Sequence, residues 1–458
     1  MPTQRTRQKT RREPADAKSL ERAVRQLLAD KISGNQVGIW LLMAEHLRLG
    51  TWDLLCRWTN QGPEQLEPRL ALHLIHEAAM CVRHLRHGRS LSQKGFELAN
   101  GLPFVPTDQV IHDLLEARTI ADSQNLQIAL GKLRRASNHF QGQVLALDPH
   151  RMKSFSKRQM RRHRLDGESK ATKMGQCFFC LDTDTHQPLC FVLNSSSPNV
   201  TQVTPELLKM TRAILDPLPD ANKPLVLADK EYLSTQLMDE VAGQGDFDLL
   251  VAMPNQPALQ AQCARLPARA FKTHWPGYAI AKKPYHLRDS PPDKTYYHLV
   301  QRTGAKAPAH QFNSFLATAN RPPLPDLTVN FPKRWHIEEF FKFNQALGWD
   351  RTGTLNLNVR YGQMTMSLLA QGLIHQLRQR MGKPYSDWDA NHLARQVFEG
   401  LDGDIRVSDD TILVTYYNAP NADKLRLHYE NLPDKLADEG ISSAIPWLYN
   451  FKLDFRFK

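Results

Sequence analysis

The hydrophobic period of this chain changes at residue 141, and that change restricts the fold more than any other feature. Upstream, apolar residues recur at helical spacing over 20–28, 39–47, 70–82, 110–115 and 126–133, with Gly, Pro and Asn between the runs. Downstream, the apolar residues are contiguous and the runs are short: 144–147, 177–181, 189–193, 225–228 and 249–252. Such runs predict strands buried on both faces. The turn-rich Asp182-Thr183-Asp184-Thr185 joins the second run to the third as a hairpin. Amphipathic helices are expected over 205–215 and 234–243, on either side of the fourth strand. The order is therefore β-β-β-α-β-α-β. Strands too apolar to be exposed need cover on both faces, so the expected class is α/β, a mixed sheet with flanking helices behind a helical N-terminal region.

After 252 the composition shifts. Eleven of the chain's 29 prolines fall in 254–325, where short aromatic-rich strands over 278–281, 296–301 and 313–319 alternate with Pro-bearing turns. This predicts a β insertion rather than a continued α/β layer. A helix is expected from about 332, a second over 361–381, another over 388–400, and strands over 411–417 and 448–457. No apolar run approaches the roughly 18 residues that span a bilayer, and the basic N-terminus has no apolar stretch behind it, so neither a membrane span nor a secretory signal is expected. Six cysteines in 458 residues do not make a disulfide scaffold and point to a reducing compartment.

The chain has 59 Lys and Arg against 47 Asp and Glu, a formal charge of +12. The surplus is local. Residues 1–25 carry a net +5 and residues 150–173 a net +7, which together account for all of it. The second segment, with Arg151, Lys153, Lys157, Arg158, Arg161 and Arg162, follows the first core strand. A basic loop at a strand end is where a polyanion approaches a site, which favours nucleic acid as a partner.

Acids stand beside that charge. Asp148 closes the first core strand, and Asp229 closes the fourth, in Leu227-Ala228-Asp229-Lys230-Glu231-Tyr232. Adjacent strand ends bring two carboxylates within reach of one ion. Glu338 lies on the helix after the insertion, in Arg334-Trp335-His336-Ile337-Glu338-Glu339-Phe340-Phe341. Helical spacing puts Arg334, Glu338, Lys342 and Gln345 on one face and Ile337, Phe340, Phe341 and Leu347 on the packing face, with Glu339 turned to solvent. Three carboxylates suit two hard divalent cations, Mg²⁺ or Mn²⁺, about 3.5–4 Å apart, the arrangement that serves phosphodiester displacement. Asp182, Asp184, Asp246 and Asp248 are expected to be turn or cap residues.

These acids and this helix resemble the DDE transposases of bacterial insertion sequences, the cut-and-paste group with a Tyr-x2-Arg-x3-Glu-x6-Lys signature. Here the string reads Phe331-x2-Arg334-x3-Glu338-x6-Gln345: the Arg and Glu match, the aromatic lacks its hydroxyl, and the last position is Gln. The resemblance implies a ribonuclease-H-like core interrupted by a β insertion. It divides the chain into a helical DNA-end-binding region with a basic arm (1–140), the first part of the core (141–255), a Pro-rich β insertion (256–330), the second part with the Glu helix (331–382), and a C-terminal α/β segment (383–458). It also implies an enzyme that cleaves DNA at the terminal inverted repeats of its element and joins the freed 3′-hydroxyl to target DNA. Asp148, Asp229 and Glu338 would hold two metal ions and Arg334 the phosphate. A homodimer bridging two ends in the bacterial cytoplasm, on the nucleoid, completes that picture. A nuclease of the same fold that does not join strands, and a non-catalytic DNA-binding derivative, are the alternatives.

Two further groups need a reading. Cys177-x2-Cys180-x5-His186-x3-Cys190 has the spacing of a zinc knuckle, but residues three apart in a strand face opposite ways, so buried structural cysteines are expected. Trp335, beside Arg334, serves either helix packing or stacking on a base. His150 is not needed as a general base where metal ions activate water.

Overall fold

The computed structural model describes all residues except 1–15, 35, 83–93, 155–161, 165, 166, 168, 195–199, 217–221 and 350–355. Its contacts form two units, Arg134–Lys342 and the remainder, Met1–Leu133 with Phe343–Lys458.

The first unit is built on a ten-stranded sheet. Strands β1 (Val144–Lys153), β2 (Thr172–Asp182) and β3 (Gln187–Asn194) form an antiparallel meander. Helix α1 (Val200–Leu215) leads to β4 (Leu225–Ala228), and α2 (Thr235–Gln244) to β5 (Asp248–Ala252); β4 lies parallel between β1 and β5. The order β3-β2-β1-β4-β5, with β2 antiparallel to the rest of the centre, is that of a ribonuclease-H-like fold. Leu145, Leu147, Val226, Leu227 and Val251 are all essentially inaccessible, as contiguous apolar strands require.

One expectation is corrected here. The first core strand does not stop at Asp148. Its parallel partner ends opposite Ala146, but β2 stays paired with it as far as Lys153. The Gln143 carbonyl accepts from Leu225 N–H and the Val144 carbonyl from Thr183 N–H, so odd-numbered residues face β4 and even-numbered ones β2. Pro149 falls on the side that β4 has vacated, and its missing N–H costs no ladder bond. Arg151 and Lys153 are consequently strand residues, not loop residues.

The Pro-rich region supplies the β insertion that its short strands predict. Strands β6 (Phe271–Trp275), β7 (Tyr278–Tyr285), β8 (Tyr296–Thr303) and β9 (Gln311–Ala317) do not form a layer apart. β9 pairs antiparallel with β5, and the others follow in the order β8, β7, β6, so the insertion extends the core sheet from its open edge. Val144, Leu227, Leu250, Ile280, Leu299 and Phe315 share one apolar cluster across that junction.

The helix expected from about 332 begins earlier. The chain winds without a break from Pro323 to Asn344, as a short α turn, a π turn (Asp326–Asn330), a 3₁₀ turn (Phe331–Trp335) and α3 (His336–Asn344). Pro332 carries no N–H, which a regular α turn there would need as a donor. Ile337, Phe340 and Phe341 are buried, each worth about 1.5–3 kcal/mol of transfer free energy.

In the second unit, helices Ala17–Leu28, Trp40–Leu49, Thr51–Thr59, Leu66–Ala79, Asp108–Glu116 and Ile120–Ala136 follow the periodic runs of the sequence, and Leu357–Met381 is the longest helix described. A five-stranded sheet pairs Ile32–Gly34 from the N-terminal part with Gly403–Ser408, followed by Thr411–Tyr416, Phe451–Phe457 and Ala444–Ile445. Among the described residues, no helix is long and apolar enough to cross a membrane.

Candidate active site

Each acid is held by a different element. Asp148 lies on β1 just past the last residue paired with β4, where the sheet opens. Asp229 follows the last residue of β4 and caps a 3₁₀ turn, its Oδ1 accepting from Glu231 N–H at 2.7 Å. One oxygen is thus spent on the turn, and Oδ2 is left for a ligand. Glu338 is in the first turn of α3.

Arg334 connects two of them, Asp148 and Glu338. Its guanidinium is 3.8 Å from Asp148 Oδ1 and 3.7 Å from Glu338 Oε1. The i,i+4 spacing keeps Arg334 and Glu338 together even though the 3₁₀ turn runs into α3 between them. The Asp148 carboxyl is raised to about 7, first by burial and then by the charges of Asp229 and Glu338, against the lowering effects of Arg334 and Arg151. One guanidinium does not balance three carboxylates in a partly desolvated site.

The surroundings add three features that sequence reasoning missed. Arg151 is ion-paired with Glu231, so part of the positive charge near Asp148 is already committed. Tyr232 is fully buried, its ionisation opposed first by burial and then by Asp148 and Asp229, and its hydroxyl has no hydrogen-bond partner among the described residues. Its place three residues after Asp229 was the available signal. His150 lies flat on Phe341, with ring centroids 4.4 Å apart, which ties β1 to α3.

The remaining expected residues are placed as follows. Trp335 is 59% exposed, with Arg334 5.4 Å from its ring centroid. It lines a cleft of about 420 Å³ together with Phe331, Met253, Asn255 and Asn313. Phe331 sets its ring edge-on to Phe315 at 4.7 Å and packs on the sheet's apolar cluster. Lys342 is exposed on α3. Gln345 does not share the Glu338 face: α3 ends at Asn344, and Gln345 starts a separate 3₁₀ turn. Lys153 and Arg162 are exposed, the latter on a two-residue strand paired with Lys173. Lys157, Arg158 and Arg161 lie outside the described residues.

The donor set fits hard divalent ions: three carboxylates from three rigid elements, short of positive charge, with no thiol or imidazole between them. The three are not drawn tightly together. Among the described residues, the triads whose ligand atoms all lie within 4.8 Å of one another are His186/His336/Glu339 and His112/Asp113/Glu116. Arg334 reaches both Asp148 and Glu338 at ion-pair distance. Cys177, Cys180 and Cys190 are buried in the hairpin, and Cys190 Sγ is 3.5 Å from Thr211 Oγ1 on α1.

Among curated proteins, none matches this chain. Among solved structures, the cryo-EM structure of a piggyBac transposase synaptic complex with hairpin DNA is similar over 81% of this chain and 82% of its own, at 11% identity and a TM-score of 0.42. The sequence itself is more specific. The family model described as the transposase DDE domain matches residues 139–373, more than half the chain and the stretch that carries all three acids, and the chain therefore belongs to the DDE-domain transposase family.

Proposed function

We propose that the chain is the DNA transposase of a bacterial insertion sequence, and that Asp148, Asp229 and Glu338 hold two Mg²⁺ or Mn²⁺ ions at its catalytic centre. The observation that carries this reading is the uncompensated charge: Asp148 and Glu338 share one arginine, Asp229 adds a third negative charge acting on Asp148, and the Asp148 carboxyl is raised to about 7. Bound divalent ions supply charge neutralisation at the attacking and leaving oxygens of an in-line phosphodiester displacement. The protein's part is then positioning. β1 and β4 fix two carboxylates at the open end of the sheet, and α3 brings the third. With such ions held by the carboxylates, Arg334 would be available to hold the scissile phosphate as a guanidinium fork. No side-chain nucleophile is needed, because water and then the freed 3′-hydroxyl attack.

DNA approaches over a basic surface. Lys153 and Arg162 are exposed, Lys342 is exposed on the Glu338 helix, and Trp335 offers an exposed aromatic face beside Arg334 for stacking on a base. Residues 1–140 recognise the terminal inverted repeats, two chains pair to hold two ends, and the protein works on the nucleoid in the bacterial cytoplasm. The test is cleavage of a duplex carrying the element's own end with Mg²⁺, followed by strand transfer of a pre-cleaved end. Cutting and joining are both expected from the wild-type protein and neither from Asp229→Ala. Cutting without joining would make it a nuclease of the same fold, and undiminished cutting by Asp229→Ala would remove the site.

A further inference from the structure

A second group of ligand atoms lies on another face of α3, apart from the acid triad. His336 and Glu339, three residues apart on the helix, face His186 in the turn between β2 and β3. The two imidazoles stack with centroids 3.9 Å apart and planes 29° from parallel, and His186 Nδ1 is 3.9 Å from Glu339 Oε2. Ligand atoms of all three residues lie within 4.8 Å of one another.

Three observations set this group apart from a chance meeting of surface side chains. His336 Nδ1 is 2.6 Å from the Thr183 carbonyl. A carbonyl only accepts, so Nδ1 carries the proton and Nε2 keeps its lone pair, the second-shell arrangement of metal-binding imidazoles. The turn that presents His186 is rigid: Asp182 Oδ1 accepts from Asp184 N–H, Thr185 N–H and the Thr185 hydroxyl at 3.0–3.1 Å. His186 itself has φ +56°, in the left-handed region that a histidine seldom occupies, so the turn dictates its direction.

We infer that His186, His336 and Glu339 bind one borderline-soft divalent ion, Zn²⁺ in preference to Mg²⁺, with water as the fourth ligand. Two nitrogens and a carboxylate are a zinc donor set and a poor one for magnesium. A tetrahedral shell with bonds of about 2.0 Å needs donors roughly 3.3 Å apart, so modest side-chain rotations close the site. The ion clamps the first turn of α3, which carries Glu338, to the β2–β3 turn. This inference does not depend on the role proposed for the acid triad.

The experiment titrates Co²⁺ into the metal-stripped full-length protein and follows the visible ligand-field absorption of tetrahedral cobalt. One Co²⁺ per chain is expected, displaced by Zn²⁺ and insensitive to excess Mg²⁺. The signal is expected to persist in the Asp148→Asn/Asp229→Asn double variant. Glu339→Gln alters only an exposed side chain and is expected to weaken binding at least about tenfold. His186→Asn, whose new side chain tolerates the left-handed backbone, is expected to abolish it. In parallel, Zn²⁺ raises the melting temperature of the wild-type protein and leaves that of His186→Asn unchanged. No tetrahedral signal in the wild type, a signal unchanged in His186→Asn, or one lost only in the double variant would each overturn the site.

Discussion

At the start of the parallel strands the acids are matched by donors, while at the far end of the same strands they are not. Asp182, opposite Leu145 near the beginning of β1, is fully buried and accepts five hydrogen bonds, from Gln141 N–H, Gly142 N–H, Asp184 N–H, Thr185 N–H and the Thr185 hydroxyl. Asp248, which opens β5, and Asp246 just before it are paired with Arg321 and Arg212, each at 3.0 Å. Beyond Ala146 and Ala228, Asp148 and Glu338 share Arg334 at distances too long for hydrogen bonds, and Asp229 spends one oxygen on a turn. One end shows what carboxylates look like when they hold a fold together. The other shows carboxylates kept short of positive charge, a condition that costs stability and that bound cations relieve.

The contrast can be broken at either end. Asp148→Ala, Asp229→Ala and Glu338→Ala are each expected to lower the rate of DNA-end cleavage about a thousandfold or more, with folding intact by circular dichroism. Asp182→Ala is expected to act in the opposite sense, destabilising the protein by about 3 kcal/mol or more in urea unfolding, because it strands buried N–H groups at both of its turns.

A pH titration sharpens the comparison. The Asp148 carboxyl is raised from 3.8 to about 7 in the metal-free protein, so between about pH 4 and pH 7 the unfolded chain has released a proton that the folded one keeps. Folding stability contributed by this group therefore falls as the pH rises through that window and levels off above it. The loss is roughly 2–3 kcal/mol, below the full value of the shift because Asp148 is coupled to the charges around it. Urea unfolding of metal-free Asp148→Asn is expected to lack that slope. The smallest effect belongs to the satisfied end: Asp246→Asn removes a partly exposed pair with Arg212 and is expected to cost about 0.5 kcal/mol or less, vanishing in high salt.

Much of this arrangement was legible along the chain, and the residues show why the rest was not. The core strands and α2 were readable because contiguous apolar runs and the Ser234 cap are local signals. The extension of β1 past Asp148 was not, since His150, Arg151 and Lys153 carry no apolar pattern and are held as strand by residues 174–177. The insertion's strands were visible, but their joining the core sheet depends on β9 finding β5 about 60 residues away. A single helical wheel put Gln345 on the Glu338 face, and the 3₁₀ turn after Asn344 removes it. Within the candidate site, Asp148, Asp229, Arg334 and Glu338 were each recognisable by type and position. Tyr232, the Arg151–Glu231 pair and the way Arg334 bridges two acids are products of packing, which spacing alone does not convey.

The most direct measurement is Mn²⁺ binding by the full-length protein, followed by electron paramagnetic resonance at pH 6 and pH 8. Binding is expected to be tighter at pH 8, as Asp148 gives up its proton, to be lost in Asp148→Asn and Asp229→Asn, and to survive in Asp246→Asn. Mn²⁺ held equally well by Asp148→Asn, or released by Asp246→Asn instead, would contradict the assignment of the cation site to the open end of the sheet.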